Sequence, residues 1–518
     1  MTAGPWQSPR RDWLKLASAS ALASTLPRWA WSATAPLAQD PFALGVASGD
    51  PAHDGVVLWV RALLPANAPA ATVQWELAAD ENFRHIIQKG QATALPELAH
   101  SVHVELHGLA PDRWYFYRFM LGDAVSPTGR TRTAPRPDAL VPRLRLAFAS
   151  CQRWEHGYYA AWRHLLDDMP DLVAFLGDYI YEYATPPNST GLARTHALRH
   201  AHTLADYRDR YALHKSDPDL QAAHRLCPWA VTWDDHEVEN DYAGEYGSEG
   251  AAFPAQRAAA YQAFYEHMPL RASVAAPGWQ QPRLYRRIDW GQLARLHMVD
   301  DRQYRATQAC RKPGSSGAGT VKPQDCAALA DPARSLLGPQ QEDWLEQGLA
   351  LDTHNGTRWT VLAQQTLFSA RHYPSGVTAT DSWDGYPAAR ARLLQTIAKQ
   401  APRNTIFIGG DIHQNYVCNV LADFDQPDSP VVASEFCGTS ISSLSGTTQK
   451  KVDAIRRHNP HVLLAQCEKR GYALADITPA RWSTQLRVVD DATRPDAAIT
   501  TQARFVVEDR RPGPLSDG

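Results

Sequence analysis

The sequence predicts an α/β fold with its chemistry gathered at one sheet edge, preceded by a smaller β-sandwich. Three observations carry this. From Leu172 the chain reads LVAFLGDYIY, five apolar residues running straight into Gly177-Asp178, with Tyr181 three positions on. A short apolar run closed by glycine fits a buried strand, and ligand sites of α/β sheets lie just beyond the carboxyl ends of such strands. Other short strands in the same half also end in polar clusters. Residues 143–149 lead into Ser150-Cys151-Gln152-Arg153, 229–233 into Asp234-Asp235-His236-Glu237, 294–299 into Asp300-Asp301-Arg302, 359–363 into Gln364-Gln365, and 405–408 into Gly409-Gly410-Asp411-Ile412-His413. By contrast, residues 42–135 show only β-like segments.

Taken in order, the chain opens with an address. Ser8-Pro9-Arg10-Arg11-Asp12-Trp13-Leu14-Lys15 leads into a modestly apolar run over 16–26. Charged, apolar and small residues in that order read as a secretory signal, and adjacent arginines as the twin-arginine type. The apolar run is too short to span a bilayer, so no transmembrane anchor is expected. Residues 1–35 are assigned to this signal, with cleavage near Ala33-Thr34-Ala35, where Pro36 would hinder a peptidase. The implied partner is the twin-arginine export machinery, and the implied location is the periplasm or the extracellular space.

Residues 40–135 read as the sandwich. VVLWVRA, TVQWELAA, SVHVELHGL and RWYFYRFML are β-rich and often alternating, with Gly, Pro, Asp and Asn between them. Leu109-Ala110-Pro111 ahead of Trp114-Tyr115 resembles the tyrosine-corner region of fibronectin-like sandwiches. Ala134-Pro135-Arg136-Pro137 is expected to link this separate domain to a larger one over 143–510. There, a strand at 143–149, a helix over 158–169 stopped by Pro170, and the strand from 172 make a strand–helix–strand unit. That unit puts Cys151 and Asp178 on one edge of a parallel sheet. Helices are expected over 190–227, 339–350 and 388–400.

At 518 residues the chain has room for two domains, and 44% hydrophobic with 21% charged residues is ordinary for a soluble globular protein. A net charge of −3 gives no electrostatic case for nucleic-acid or membrane-surface binding. Seven cysteines fit an exported chain. Cys310 and Cys326 flank RKPGSSGAGTVKPQD and are expected to close it with a disulfide. Cys227, Cys418, Cys437 and Cys467 cannot be paired from sequence, though four would allow complete pairing without Cys151.

The strand-end clusters together supply a thiolate (Cys151), a phenolate (Tyr181), carboxylates (Asp178, Asp235, Asp411) and imidazoles (His236, His413). Carboxylate and phenolate suit a trivalent or hard divalent metal; imidazole and thiolate suit iron or zinc. One carboxylate bridging two ions is the two-metal geometry of phosphate-ester hydrolysis. A lone Gly-Asp would read as turn chemistry, and most of 20 histidines as surface or core residues. Recurrence at strand ends is what turn chemistry does not explain.

FASCQ, LGDYIYEY, TWDDHEVENDY, the 299–304 segment VDDRQY and IFIGGDIHQN together resemble the alkaline phosphatase D (PhoD-type) family, kin of purple acid phosphatases and other calcineurin-like metallophosphoesterases. The resemblance extends over nearly the whole mature chain, including DYRDRYALHKSDPDLQ, YQAFYEHMPLR and DSWDGYPAAR. It implies a two-sheet α/β metallophosphoesterase core. Position by position it implies iron, Fe(III), held by Cys151, Asp178, Tyr181 and His413. Asp178 would bridge to a second site completed by Asp235 and Asp411 and filled by calcium, Ca(II). Compared with the wider phosphoesterases, Cys151 and Asp235 replace an Asp and an Asn, and Asp411 replaces a His. More carboxylates harden the second site, which favours calcium over zinc. Asn240 is placed to reach substrate or a further calcium.

The implied activity is that of an exported alkaline phosphatase and phosphodiesterase acting on small-molecule, lipid or polymer phosphate esters. A metal-bound hydroxide would attack in line, with no covalent enzyme intermediate. His236 is expected to protonate or steady the leaving oxygen, and Arg302 and Arg153 to grip phosphate oxygens, a structural salt bridge being the competing role for both arginines. Two other readings stand beside this one: an iron-dependent phospholipase D-like diesterase, and an inactive metal-binding cell-surface module, against which the full ligand set argues. The natural substrate is not legible, because selectivity belongs to loops such as 185–202 and 310–326.

Overall fold

The computed structural model describes residues 39–65, 67–187, 189–247, 250–311 and 317–517. The expected export signal over 1–35 lies outside the described residues. The first eight strands are β1 (Val46–Ala52), β2 (Gly55–Arg61), β3 (Ala71–Ala78), β4 (Ile86–Ala94), β5 (Ser101–Leu106), β6 (Trp114–Leu121), β7 (Ala124–Val125) and β8 (Gly129–Arg132). One layer runs β1-β2-β5 and the other β4-β3-β6-β7, with β8 on β6. Val56, Leu58, Val60, Val73, Leu77, Val104, Tyr117 and Phe119 fill the space between. Tyr115 Oη contacts both the amide (3.1 Å) and the carbonyl (3.3 Å) of Ala110, the hydrogen-bond pattern of a tyrosine corner.

The rest of the chain comprises β9 (Leu144–Ala149), α1 (Ala160–Asp168), β10 (Leu172–Phe175), α2 (Leu204–Lys215), α3 (Pro218–Leu226), β11 (Trp229–Val231), α4 (Pro254–His267), β12 (Arg286–Trp290), β13 (Ala294–Met298), β14 (Thr320–Val321), α5 (Pro339–Asn355), β15 (Trp359–Ala363), β16 (Thr378–Ala379), α6 (Pro387–Gln400), β17 (Thr405–Gly409), β18 (Asn415–Leu421), β19 (Val431–Cys437), α7 (Gln449–His458), β20 (Val462–Gln466), β21 (Arg470–Ile477), β22 (Arg481–Val489), β23 (Ile499–Glu508) and β24 (Arg511–Ser516). Two sheets, β24-β23-β22-β21-β9-β10-β11-β1-β2-β5 and β12-β13-β15-β17-β19-β18-β20, enclose one core. Leu146, Phe148, Leu172 and Ala174 of the first sheet meet Leu296, Val361, Ile406 and Ile408 of the second. The alternate residues of the first sheet, such as Val173 and Phe175, pack outward with Trp162, Tyr211 and Phe264 of α1, α2 and α4. Both faces of these strands are buried, which is why the sequence there reads as unbroken apolar runs.

The structure corrects three expectations. The sandwich is not a separate body, since β1 pairs in parallel with β11 at Gly49–Trp229 and its layer continues the first large sheet. A Cβ on Gly49 would lie 2.6 Å from the carbonyl oxygens of Trp229 and Pro269, so only glycine permits that approach. The stretch 190–203 is not helical. α2 starts at Leu204, where Thr203 and Asp206 form a capping box, and the chain before it is held by tertiary contacts such as the Ala193 amide on the Glu155 carbonyl. The last strand also runs past residue 510, to Ser516.

Cys310 and Cys326 are joined, while Cys151, Cys227, Cys418, Cys437 and Cys467 are buried free thiols. The even count of remaining cysteines therefore carried no pairing.

Candidate metal centre

Four strand-end turns build the site. Three follow β9, β10 and β11 of the first sheet, and the fourth follows β17 of the second, so the site lies where the two carboxyl edges meet. Gln365, at the end of β15, ties the edges from below: its Nε2 contacts Thr232, Trp233 and Val299, and its Oε1 accepts from the Asp301 amide. Cys151, Asp178, Asp411 and His413 have positive φ, at 59°, 59°, 65° and 55°. Such strain in side-chain-bearing residues concentrates at ligand clamps. Gly177, with φ 108°, lets its turn press on the next: a Cβ there would lie 2.4 Å from Asp234 Cβ.

The ligand atoms of Cys151, Asp178 and His413 lie within 4.8 Å of one another; so do those of Asp178, Asp235 and His236, and those of Asp234, Asp235 and Asp411. These groups share Asp178 and Asp235, so a thiol–imidazole end runs directly into a carboxylate end. Tyr181 Oη donates to Asp178 Oδ2 at 2.8 Å and lies 3.0 Å from His413 Nε2. His413 Nδ1 donates to the Leu444 carbonyl at 2.8 Å, which turns Nε2 inward as a free donor pair. His236 Nδ1 donates to Glu182 Oε2 at 2.8 Å, and its ring lies 4.1 Å from that of Tyr181.

Burial pushes the Asp178 carboxyl well above the usual range, with His236 opposing and Asp235 adding. Burial, with Asp178 adding, also raises the Cys151 thiol, and burial drives the His413 imidazole down to about 3. For Asp235, burial resists ionisation but Arg302 and His236 outweigh it. For His236, burial opposes the charge while Glu182, Asp235 and Asp178 raise the imidazole well above its ordinary value. Asp178 Oδ1, Asp235 Oδ1 and Asp234 Oδ2 are buried with no hydrogen-bond partner among the described residues. Buried polar atoms are seldom left so, and crowded carboxylates are what a cation relieves. The donor set therefore fits metal ions, with thiol, phenol and imidazole at one end and carboxylates at the other.

Arg302 departs furthest from its expected place. Its side chain is fully buried, with Nε on Asp234, Nη1 2.9 Å from Asp381 and Nη2 3.6 Å from Asp235. These ion pairs are the structural salt bridge that competes with the expected phosphate grip, and the buried side chain has no solvent-facing surface. Arg153 stays at the rim, its guanidinium 5.1 Å from the Tyr183 ring and 3.3 Å from Glu155. Asn240 turns its amide to Asp241 Oδ2 at 2.6 Å.

Sequence reasoning passed over Glu182, Glu237, Asp381 and Ser443. Glu237 accepts from the amides of Asp178, Tyr179 and Asp234, knitting two ligand turns together. Glu182 and Glu237 stood inside the segments that carried the resemblance, so their signal was present. Ser443, 2.8 Å from Tyr181 Oη and 2.9 Å from the Cys151 carbonyl, came from an ordinary Ser-rich loop.

The family model described as PhoD-like phosphatase matches residues 146–486, and the model for the PhoD-like phosphatase N-terminal domain matches residues 28–135. The chain belongs to the PhoD-like phosphatase family. Alkaline phosphatase D of Bacillus subtilis (strain 168) is 45% identical over 491 residues, covering 91% of this chain and 82% of that one. A solved structure titled "Structure of PhoD" superposes with a TM-score of 0.87 at 42% identity, covering 94% of each chain. The expected α/β fold with its β-rich N-terminal part is thus the PhoD fold. Every residue of the metal-ligand clusters falls inside the PhoD-like phosphatase match.

Proposed function

We propose that this chain is an exported, metal-dependent phosphoric ester hydrolase acting on phosphate mono- and diesters. The observation that carries the reading is the continuous donor cluster, centred on Asp178, at the joined carboxyl edges of a PhoD-like phosphatase core. Cys151, Asp178, Tyr181 and His413 would hold iron(III), and Asp178, Asp235 and Asp411 would hold calcium, with Asp234 beside them. Such a pair of ions neutralises phosphoryl oxygens and activates water.

The chain's own residues set the rest. Glu182 fixes the His236 ring through Nδ1, which suits His236 to give a proton to a leaving oxygen. Arg153 stands at the rim as the remaining candidate for a phosphate-oxygen contact, and Asn240 as a candidate for substrate or a further calcium. Residues 40–135 and 143–510, the latter extended to Ser516 by its last strand, form two domains that share a sheet. Export is supported by the leader sequence and by the Cys310–Cys326 disulfide, which belongs to an oxidising compartment.

The decisive experiment is metal analysis of the purified protein alongside hydrolysis of bis-nitrophenyl phosphate and nitrophenyl phosphate with calcium present. Iron and calcium with turnover of both esters are expected. No turnover of either ester by metal-replete protein would overturn the reading; monoester turnover alone would remove the diester half of it.

A further inference from the structure

A second charged site lies away from the metal cluster, where the end of β1 meets β12 and α5. Its cleft, of about 430 Å³, is lined by Arg271, Arg283, Arg286 and Arg287. Two of these are committed. Arg286 pairs with Asp50 at 2.6 Å, and Arg271 with Glu105 at 3.3 Å, its other arm on the Asp50 carbonyl. The other two have no carboxylate within ion-pair distance among the described residues. Arg283 is exposed and lies over the Tyr285 ring at 4.7 Å; Arg287 is half-buried over the Trp344 ring at 4.2 Å. Arg287 spends Nε on His297 Nδ1, at 3.4 Å, and Nη2 on the Trp344 carbonyl, which leaves Nη1 for the cleft.

This placement is built into the fold. α5 carries Gly348 in its interior, where glycine costs roughly 1 kcal/mol relative to alanine. A Cβ there would lie 2.7 Å from Arg287 Nε and 2.6 Å from His297 Cε1. The helix thus gives way to seat an arginine that makes no direct ion pair among the described residues. Stacked on Tyr285, Arg283 keeps its N–H edge free for bidentate binding of an oxyanion, and Arg287 adds its Nη1. Among the side chains facing the cleft, four guanidinium groups stand against Asp50 and Glu105, while Asp289 and Asp352, both paired with Arg295, act on Arg287 only from behind, so the cleft itself presents an excess of positive charge suited to a dianion. A phosphate monoester or free phosphate is close to that charge at neutral pH; a diester or monocarboxylate is not.

We infer that the cleft between β1, β12 and α5 binds a phosphate dianion, either free or as the phosphoryl end of a small organic monoester. The site is independent of the hydrolase reading.

The test is calorimetric titration of the metal-replete enzyme with inorganic phosphate and, separately, with benzylphosphonate as a non-hydrolysable monoester analogue. Expected are two ligands per chain, the cleft site having a Kd below about 1 mM. Arg283→Gln, which disturbs no polar contact, should weaken the cleft site about tenfold, and Arg283→Gln with Arg287→Gln should abolish it. Diester KM should stay within about twofold in both variants. Tighter binding of the phosphonate than of phosphate would assign the cleft to organic monoesters, since only they use the Tyr285 and Trp344 walls; equal binding would assign it to free phosphate. Binding of phosphate and phosphonate that is the same in the unaltered enzyme and in both variants, whatever the number of ligands per chain, would overturn the inference. Loss of binding at the metal centre alone would count against the hydrolase reading and not against the cleft.

Discussion

On one side of Asp178 stand Cys151, Tyr181 and His413, held by the Ser443 hydroxyl, the Leu444 carbonyl and strained backbone at Cys151 and His413, with one buried guanidinium, Arg470, donating to the His413 and Ser443 carbonyls and no ion pair among the described residues. On the other side stand Asp234, Asp235 and Asp411, with Arg302, Arg305, Asp301 and Asp381 packed behind them. The first side depends on loop geometry, so losing a donor there removes a ligand and little else. The second depends on charge balance, so losing one member strands its neighbours in a buried setting. The two halves of one site should therefore fail in different ways.

Asp178 belongs to both halves and gives the largest effect. Asp178→Asn removes the carboxylate they share, and both iron and calcium contents should fall, with kcat/KM lower by about 10³-fold or more. Retention of either ion at full occupancy, measured by metal analysis, would mean that the halves are not joined through this residue. Arg302→Met tests the charge-held half. It leaves Asp234 buried without its partner, and Asp381 with Arg305 alone, and should cost roughly 3–5 kcal/mol of stability in urea unfolding. Unchanged stability would break the comparison.

Cys151→Ser tests the other half. The purified enzyme should be coloured, because thiolate and phenolate donate charge to iron(III). The variant should lose iron and part of that absorption while keeping its unfolding midpoint and its Cys310–Cys326 disulfide. A colourless, active enzyme holding only zinc would sink the iron assignment, as would Cys151 found in a disulfide.

What could be read from the sequence was what a single strand reveals. The apolar runs ending in GDYIY, DDHE and GGDIH located β10, β11 and β17, and with them Asp178, Asp235, Asp411 and His413. What a strand does at long range was not legible. β1, β2 and β5 alternate as sandwich strands whether or not β1 also pairs with β11, and only Gly49 marked the contact. For Arg302 the sequence left a phosphate grip and a structural salt bridge side by side, because its partner Asp381, although inside DSWDGYPAAR, is remote in the chain and nothing local tied the two together. The stretch 190–203 has helix-compatible composition, but Thr203 and Asp206 set the start of α2, and its histidines and arginines are used in tertiary contacts instead.

The smallest effect concerns how the leaving oxygen is handled, and it falls on the boundary between the halves. His236 reaches toward Asp178 and Asp235 on one side and donates to Glu182 on the other. If it gives a proton to the departing oxygen, its loss should matter most where that oxygen is basic. His236→Ala should lower turnover of alkyl phosphate esters by about 10²-fold and leave nitrophenyl esters nearly unaffected, since nitrophenolate departs without a proton. Glu182 also accepts the Asn240 amide at 2.9 Å, so it orients the turn as well as the ring. Glu182→Gln keeps an acceptor for one of those contacts and removes the charge that holds the imidazole protonated. It should reproduce the leaving-group dependence in weaker form, roughly tenfold on alkyl esters. A histidine that only held a metal or the turn would give equal losses on both ester types in both variants. That result would move His236 from proton transfer to the charge-held half of the site.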